Sequence, residues 1–424
     1  MSRKTAVMLA LIVLVALCFR LFLVSRSAGA PLFSDEVTYD SIAMNLVEGH
    51  GYSRGAAPDF PPTAVVGPGY VLLLTAVYAV VGHQPVGVKL VQVVMDCLTC
   101  LLLFRISCRL FHRTDTALLA SLLYALYPPF AMHTNAILTE TLAVFLTILA
   151  IFLFLEHATR RSTPALYLSA LVIGVAALTR PILALLPALF FVSAFRSAEK
   201  RLPLVKHLVL RCAVIGLVIS PWVVRNAVVF HSFIPSVTLG GFTFWGGSGP
   251  ADGRVVGGLG DPWTPRHVEP AVRGLSEVER DRWFYREAVR VIREDPARFL
   301  RVAMQKVPRL WFNLAKSERS DMASKALGAV GLGSGVLARV SLLFALGNLI
   351  AMILAVIGIV RLKPPQVSVD LLLWLALYFT LVHMAFFAVF RYSLPVYAYL
   401  FCFSAAGMTS FFGTPPPGRV PKPS

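Results

Sequence analysis

Two adjacent carboxylates, Asp35 and Glu36, follow closely on an apolar segment long enough to cross a membrane, within the stretch "SDEVTYDSIAMNLVEGHG". Ser34 is a typical N-cap residue, and the helix dipole favours negative charge in the first turn of a helix. Helix formation, with an apolar stripe that includes Tyr39, therefore explains the stretch without any catalytic function. The same dipole favours an ionised Asp35, and a general base must be ionised.

A second carboxylate, Glu140, lies just before an apolar run, in "HTNAILTE". The order of the predicted membrane crossings places this turn on the same face of the membrane as Asp35. A carboxylate at the boundary of a bilayer is costly unless it is solvated, paired or functional. We therefore expect Asp35 and Glu140, on different helices, to line one cavity.

Three arginines lie at the predicted outer ends of spans, where the usual distribution of positive charge in membrane proteins disfavours them. Snorkelling of the side chain to lipid headgroups explains each arginine singly. Three arginines beside two acids instead favour a site for a phosphate-bearing anion, because guanidinium groups bind phosphate through paired hydrogen bonds. The candidates are Arg180 in "LTRPI", Arg225 in "PWVVRN" and Arg391 in "FRYSLP", with Tyr392 beside Arg391.

The chain has 424 residues, of which 57% are hydrophobic and 14% are charged. Soluble globular proteins carry a larger share of charged residues, so the composition indicates a helical membrane protein with many spans. The net charge of +17 fits basic cytoplasmic loops and contacts with anionic membrane lipids. Nucleic acid is not an expected partner, because no compact basic domain is present.

Eleven apolar runs occur along the chain, and the run 68–82 is the one that we do not count as a span. Its length of about fifteen residues, its Pro-Gly start and its Gly82 end favour a re-entrant or interfacial helix. Ten spans then place every short basic loop, and both termini, on the cytoplasmic side. We expect the first run, 6–24, to be retained, the alternative being a signal peptide cleaved after Ala28-Gly29-Ala30.

The ten spans leave three outer segments, a first loop over 25–85, a turn near 134–140 and a long loop over roughly 226–335. Nine glycines between Gly240 and Gly260 predict an irregular stretch at the start of the long loop. Two helix starts follow, a capping box at Ser276 and Glu279 and a cap at Asp295-Pro296. Arginines at helical spacing, with apolar residues interleaved, predict an amphipathic helix that faces headgroups or solvent, a specific anion site being the alternative. The arginines are Arg282, Arg286, Arg290 and Arg293.

Other polar residues in the apolar segments have structural explanations. Cys97 and Cys100 spell C-x-x-C inside a predicted span, where we interpret them as packing residues and not as a redox or metal pair. Gln92 and Asp96 are expected to form hydrogen bonds between helices, and His383 is expected to be a packing residue. No zinc-peptidase, P-loop or dinucleotide-binding motif occurs.

A series of short segments resembles the GT-C membrane glycosyltransferases, in particular the bacterial relatives of protein O-mannosyltransferases and of the lipid A aminoarabinose transferase. The resemblance implies that Asp35 is the catalytic base, that Glu36 is its acidic neighbour and that Glu140 is the second acid. It also implies that 68–82 is a juxtamembrane helix. A lysine that some relatives carry ahead of this helix is missing from "PPTAVVGPG". The segments are "FSDEVTYDSIAMNLVEGHGY", "PPTAVVGPGYVLLL", "KLVQVVMDCLTCLL", "YPPFAMHTNAILTE", "GVAALTRPILALLP", "PWVVRN" and "FRYSLPVYAY".

The expected fold is an all-α polytopic bundle of the GT-C type, with about ten spans and with juxtamembrane helices in the first outer loop. We divide the chain into a membrane module (1–225), a long outer loop (226–335), C-terminal spans (336–412) and a disordered tail (413–424).

The expected function is inverting transfer of one sugar from a polyprenyl-phosphate donor to a hydroxyl of a lipid, a polysaccharide or a protein, at the outer face of a bacterial inner membrane. No certain cofactor is expected and no metal-ligating residues are predicted; the leaving phosphate does not require a metal, and a divalent metal stays an open alternative. Two alternatives are a transporter for lipid-linked sugars, which would show internal repeats, and a non-catalytic membrane scaffold.

Overall fold

The computed structural model describes residues 2–195, 202–249, 268–312 and 334–412, with side chains from 204 and from 342 in the second and last ranges. These residues are almost entirely helical, and the described part contains no β-strand beyond one isolated bridge between Ser53 and Pro62. The α-helices are α1 (Arg3–Arg26), α2 (Asp35–Val47), α3 (Pro68–Val81), α4 (Pro85–Phe111), α5 (Thr114–Leu126), α6 (Pro128–Thr134), α7 (Glu140–Arg160), α8 (Thr163–Thr179), α9 (Leu186–Phe195), α10 (Leu202–Phe230), α11 (Gly240–Gly247), α12 (Glu269–Val272), α13 (Glu277–Glu294), α14 (Pro296–Phe312), α15 (Ser334–Leu362), α16 (Gln366–Ala385) and α17 (Leu394–Thr409). Short 3-10 helices cover Pro181–Leu185 and Phe390–Ser393.

Six of the described helices are long and apolar enough to cross a membrane, and they lie in α1, α4, α7, α10, α15 and α16. The all-α membrane class is therefore confirmed. Four shorter apolar segments, in α3, α5, α8 and Pro181–Phe195, have 10–17 residues, so the predicted total of ten spans stays a prediction. The run 68–82 forms a helix of only 14 residues that begins at Pro68 and ends before Gly82, whose φ is +78°. This length agrees with the decision not to count it as a span.

Polar pairs join the helices in the interior of the bundle. Arg20, fully buried on α1, pairs with Asp96 on α4, and the hydroxyl of Tyr124 also donates to Asp96. Gln92 accepts a hydrogen bond from the Tyr70 hydroxyl at 2.8 Å and donates to the carbonyl oxygens of Thr134 and Ala136 at the end of α6. The predicted structural role of Gln92 and Asp96 is therefore confirmed, because both side chains form hydrogen bonds to other helices of the bundle.

The other polar residues to which we assigned a structural role also lie in packed surroundings. Cys100 is buried in the core, and both it and Cys97 are free thiols. His383 is 7% exposed, and its Nδ1 lies 2.7 Å from the Phe379 carbonyl oxygen. These positions agree with packing roles.

The start of α2 differs from the predicted cap. Ser34 occupies the N-cap position, but its φ is +54° and its side chain makes no capping hydrogen bond. The carboxylate of Glu36 instead accepts from the backbone N–H of Phe33 at 3.0 Å. The prediction of a Ser34 side-chain cap was wrong, because a capping residue usually has extended backbone and Ser34 has a positive φ. Strained backbone next to an acidic residue is a feature that clusters at functional sites.

The helices predicted in the long outer segment are present. Ser276 and Glu279 form the reciprocal capping box at the start of α13. Asp295 accepts from the N–H of Arg298 at 2.8 Å at the start of α14. Phe284 and Ala288 form the buried face of α13, while Arg282, Arg286, Arg290 and Arg293 are exposed. Lys306, on α14 and 3% exposed, donates to the carbonyl oxygens of Met384 and Phe386 at the end of α16.

One glycine-rich part of this segment was predicted wrongly, because Gly240–Gly247 is the helix α11 and not an irregular stretch. Phe242 and Trp245 anchor α11 in a small core with α13. A Cβ at Gly241 would overlap the carbonyl oxygen of Asp281, so a glycine there permits the close approach of the two helices. The glycines after 249 and the predicted disordered tail 413–424 lie outside the described residues.

Glu277, at the start of α13, ties the long segment to the first outer loop. Its two carboxylate oxygens accept from the Thr63 hydroxyl at 2.7 Å, from the Ala64 N–H at 2.7 Å and from the Thr238 hydroxyl. Hydrogen bonds to a charged group are stronger than those between neutral groups. This one carboxylate therefore holds three separate chain segments together beside the membrane module.

Candidate active site

Asp35 lies in a cluster of two acids and two arginines that four different parts of the chain contribute. Its Oδ2 accepts from Nη2 of Arg391 at 2.9 Å, and the two side chains are 24% and 22% exposed. Asp35 is the first residue of α2, while Arg391 lies in the 3-10 helix that leads into α17. The pair joins the first outer loop to the last helices and leaves part of Asp35 accessible.

Glu140, the first residue of α7, is the buried centre of the cluster, with a side chain that is 1% exposed. Its Oε1 pairs with Nη2 of Arg180 and lies 3.4 Å from Nε of Arg391. Arg180 also donates from Nε to the hydroxyl of Thr139 at 2.8 Å. The other carboxylate oxygen, Oε2, is buried and has no hydrogen-bond partner. Such an oxygen is a ready acceptor for a polar group of a ligand.

Aromatic rings border the cluster on two sides. The Arg180 and Arg391 guanidinium carbons lie 4.9 and 5.4 Å from the centre of the Tyr392 ring, in cation–π contact. Tyr39 packs edge-to-face on Tyr70 with ring centres 5.2 Å apart. Burial, followed by the negative charge of Asp35, raises the pKa of the Tyr39 hydroxyl above its ordinary value. Tyr39 is therefore a hydrogen-bond donor at neutral pH and not a base.

Glu36 lies beside the cluster and contacts the backbone. Its Oε1 accepts from the N–H of Ile137 and its Oε2 from the N–H of Phe33, both at 3.0 Å. Glu36 is 8% exposed and links the start of α2 to the turn before α7. These contacts favour a positioning role for Glu36, since they fix Asp35 relative to Glu140.

Arg225, the third predicted cation, contacts the first outer loop and not the acidic cluster. Its guanidinium donates to the carbonyl oxygens of Thr63 at 2.7 Å and Tyr52 at 2.8 Å and to the Asn226 side chain at 2.9 Å. The rings of Tyr52 and Trp222 also lie within 5.4 Å of its guanidinium carbon. Arg225 thus orders the first outer loop, and the structure brings only Arg180 and Arg391 to the acids.

Two residues of the site were not singled out by sequence reasoning, although both lie in the segment that contains Glu140. Thr139 orients Arg180, as described above. His133 is 6% exposed; its Nδ1 lies 2.6 Å from the Pro129 carbonyl oxygen, and its Nε2 is buried without a partner. A carbonyl can only accept, so Nδ1 carries the proton and Nε2 of the neutral ring is an acceptor. A histidine seven residues before the predicted acid Glu140 was the available signal.

Metal ligation does not account for this cluster. Within the described ranges, no group of three or more His, Cys, Asp or Glu side chains is arranged to hold a metal ion. The neighbours of Glu140 are two guanidinium groups, which are never metal ligands because they carry a permanent positive charge. The arrangement is suited to an ionised general base beside a site for an anion.

Comparisons with known proteins give one family and several solved structures. Residues 65–224 match the family model of dolichyl-phosphate-mannose-protein mannosyltransferases. This range includes Glu140 and Arg180 and ends one residue before Arg225, while Asp35 and Arg391 also lie outside it. A comparison with curated protein sequences gives no match.

Among solved structures, the oligosaccharyltransferase of Archaeoglobus fulgidus, crystallised with a tethered acceptor peptide, matches with a TM-score of 0.59 at 12% identity. The match covers 97% of this chain and 50% of that enzyme, so the chain spans half the length of the archaeal protein. ArnT from Cupriavidus metallidurans bound to undecaprenyl phosphate has a TM-score of 0.47 at 13% identity, over 97% of this chain and 78% of ArnT.

The match to the archaeal oligosaccharyltransferase agrees with the helical architecture. The match to the archaeal enzyme extends over nearly the whole chain, and the family model covers the membrane module from α3 to α10. The resemblance to the GT-C membrane glycosyltransferases is therefore confirmed, and the chain has their helical fold.

Proposed function

We propose that this protein transfers a single sugar from a polyprenyl-phosphate donor to a hydroxyl group of an acceptor at the outer face of the membrane. The observation that carries the proposal is the cluster of Asp35, Arg391, Glu140 and Arg180, in which a partly exposed carboxylate lies beside two guanidinium groups. The family model at 65–224 supports this donor class, because its description names a polyprenyl-phosphate sugar and a transferase.

Asp35 is the general base of the proposed reaction. Its carboxylate takes the proton of the acceptor hydroxyl while the acceptor oxygen forms a bond to the anomeric carbon of the sugar. The bond between that carbon and the phosphate oxygen breaks, and its electron pair leaves with the polyprenyl phosphate. Attack opposite the leaving group inverts the configuration. Positioned proton transfer of this kind contributes roughly 10²–10⁴ in rate.

The arginines stabilise the charge that develops on the leaving phosphate. Two acids and two arginines balance formally in the cluster, with Arg391 shared between Asp35 and Glu140. When Asp35 takes up the proton, it loses the charge that holds Arg391. In the same step the phosphate changes from a diester with one negative charge to a monoester with two. Arg391 can therefore turn from Asp35 to the phosphate as both charges develop.

The two buried acceptor atoms, Oε2 of Glu140 and Nε2 of His133, are suited to holding hydroxyl groups of the sugar or the acceptor. Both atoms lack a partner, and both accept hydrogen bonds when the ring is neutral and the carboxylate is ionised. A bound hydroxyl would satisfy either one. Such a ligand hydroxyl explains why Glu140 has one carboxylate oxygen without a partner although two arginines contact its other oxygen.

The outer-face assignment follows from the distribution of charge, and it predicts a labelling pattern. Asp59 in the first loop and Arg160 at the end of α7 are both exposed. In a background without the six native cysteines, Asp59→Cys should react with a membrane-impermeant maleimide applied to intact cells. Arg160→Cys should react only after the membrane is permeabilised. The reverse pattern would overturn the proposed topology.

Sugar transfer by the purified protein, without an ion gradient across a membrane, tests the proposed enzymatic activity. The purified protein in detergent, given a polyprenyl-phosphate-linked sugar and an extract of cell-envelope acceptors, should release free polyprenyl phosphate. Mass spectrometry should detect acceptors that have gained one sugar. Asp35→Asn serves as the negative control. Sugar-lipid movement across sealed vesicles with no such product would instead establish a transporter and reject the proposed reaction.

A further inference from the structure

A second charged feature lies far from the acidic cluster, in the part of the bundle formed by α7, α9 and α10. Arg211 on α10 is 4% exposed, and its Nε and Nη2 are buried without any hydrogen-bond partner. No ion pair to Arg211 occurs among the described residues. An ionisable side chain within a span is costly, and one without a counter-ion indicates a functional site.

The surroundings of Arg211 hold the guanidinium group in place without neutralising it. Its central carbon lies 5.6 Å from the centre of the Phe154 ring and 5.8 Å from that of Phe190. The two rings stack on each other with centres 4.3 Å apart. Aromatic faces attract a cation but offer no hydrogen-bond acceptor. The N–H groups of Arg211 are therefore available for an anion.

Two histidines form the edge of this arginine pocket, which we define as Arg211, Phe154, Phe190, His157 and His207. Nε2 of His157 lies 3.3 Å from Nδ1 of His207, and Nδ1 of His157 lies 3.0 Å from the Ser162 carbonyl oxygen. The carbonyl fixes the proton of His157 on Nδ1, so Nδ1 of His207 donates to His157. Both histidines are half-buried and lie within one helical turn of Phe154 or Arg211, so they link the buried arginine to the outside of the bundle.

The pocket lies at the other end of the bundle from the acidic cluster. His157 lies 17 residues after Glu140 on the same helix, α7, which is about 26 Å along the helix axis. Arg211 lies nine residues after the start of α10, and side chains on a helix lean toward its N-terminus. The guanidinium is thus directed toward the end of the bundle that carries the predicted cytoplasmic loops.

We infer that the arginine pocket binds the phosphate of an anionic membrane lipid from the cytoplasmic leaflet. Basic pockets between spans on this side of a membrane are suited to phosphate headgroups. The guanidinium supplies parallel N–H donors to phosphate oxygens, and His207 supplies a further donor at the edge when it is protonated. The bound lipid provides the counter-ion that Arg211 does not find among the described residues, and it fixes α10 against α7 and α9.

Lipid binding by matched variants tests this site. The purified protein would be delipidated in a zwitterionic detergent and titrated with phosphatidylglycerol, and bound lipid would be counted by native mass spectrometry. Arg211→Met keeps the length of the side chain but removes the charge, so lipid affinity should fall roughly 10- to 100-fold. Arg211→Lys should retain part of the affinity. Arg361→Met is the control, because Arg361 is an exposed arginine whose guanidinium lies over Phe411, 4.4 Å from the ring centre.

Thermal unfolding supplies the second measurement and separates two sources of phosphate. Phosphatidylglycerol should raise the unfolding temperature of the wild type and of Arg361→Met but not that of Arg211→Met. Phosphatidylcholine should raise none of these three unfolding temperatures. Protection by inorganic phosphate alone, lost in Arg211→Met, would support the anion site and assign it to a soluble phosphate. If Arg211→Met does not fold, Arg211→Gln takes its place. Equal lipid binding by the wild type and these uncharged variants would overturn the inference.

Discussion

Replacement of Asp35 by asparagine should reduce sugar transfer by roughly 10²-fold or more while the protein still inserts and folds. Asparagine keeps the shape of the side chain and can still contact a neighbour, but it cannot take up the proton of the attacking hydroxyl. Asp35 is partly exposed and makes its hydrogen bond to Arg391 at 2.9 Å. The measurement is kcat for release of polyprenyl phosphate from the donor, at saturating donor.

Asp40→Asn is the matched control for this variant, because Asp40 lies on the same helix but faces other partners. It accepts from the Tyr78 hydroxyl at 2.6 Å and lies 2.9 Å from Nε2 of His83. The control should keep transfer within a few-fold of the wild type, since it leaves the cluster intact. Near-normal transfer by Asp35→Asn, with an unchanged unfolding temperature, would falsify the assignment of Asp35 as the base.

The second large effect is expected at Arg391. Arg391→Ala removes the guanidinium shared by Asp35 and Glu140 and, in the proposed reaction, the group that reaches the donor phosphate. Hydrogen bonds to a charged group are worth about 1.5–3 kcal/mol, so donor affinity or rate should fall roughly 10- to 150-fold. Arg391→Lys should rescue only part of the loss, because an ammonium group cannot form two parallel bonds to a phosphate.

A donor titration of these proteins distinguishes phosphate binding from anchoring in the membrane. Arg286→Ala is the control, since Arg286 is an exposed arginine on α13 with no contact to the cluster. If Arg391 only contacted lipid headgroups, Arg391→Ala would keep donor affinity and lose some thermal stability. Unchanged donor affinity in Arg391→Ala would remove Arg391 from the site and leave Arg180 as the cation beside Glu140.

The sequence predicted the class of fold because hydrophobic run length is a local property. A helix that spans a bilayer satisfies its own backbone hydrogen bonds, so about 20 apolar residues suffice to identify it. The starts of α13 and α14 were predicted for the same reason, since a helix cap depends only on residues a few positions apart, as in the capping box of α13. The pairing of Asp35 and Glu140 on one face followed from counting crossings, which also uses only the order of the segments.

The tertiary structure decided which polar residues meet. Arg180, Arg225 and Arg391 have the same local signature in the sequence, yet only Arg180 and Arg391 contact Glu140, while Arg225 binds the backbone of the first loop. A charge at the end of a span takes whichever partner the packing of the helices brings within a few ångströms. The rotation of each helix about its axis and its tilt set those distances, and both depend on side-chain packing between helices that are distant in sequence.

Backbone contacts made by side chains were the other feature that the sequence left open. Ser34 matched a cap by residue type, but its hydroxyl makes no capping hydrogen bond, whereas Glu36 accepts from the N–H groups of Phe33 and of Ile137, 101 residues away. The helix Gly240–Gly247 forms because its glycines let it pack closely on α13. In each case the local preference was weak, about 1 kcal/mol or less per residue, and contacts formed only in the folded bundle outweighed it.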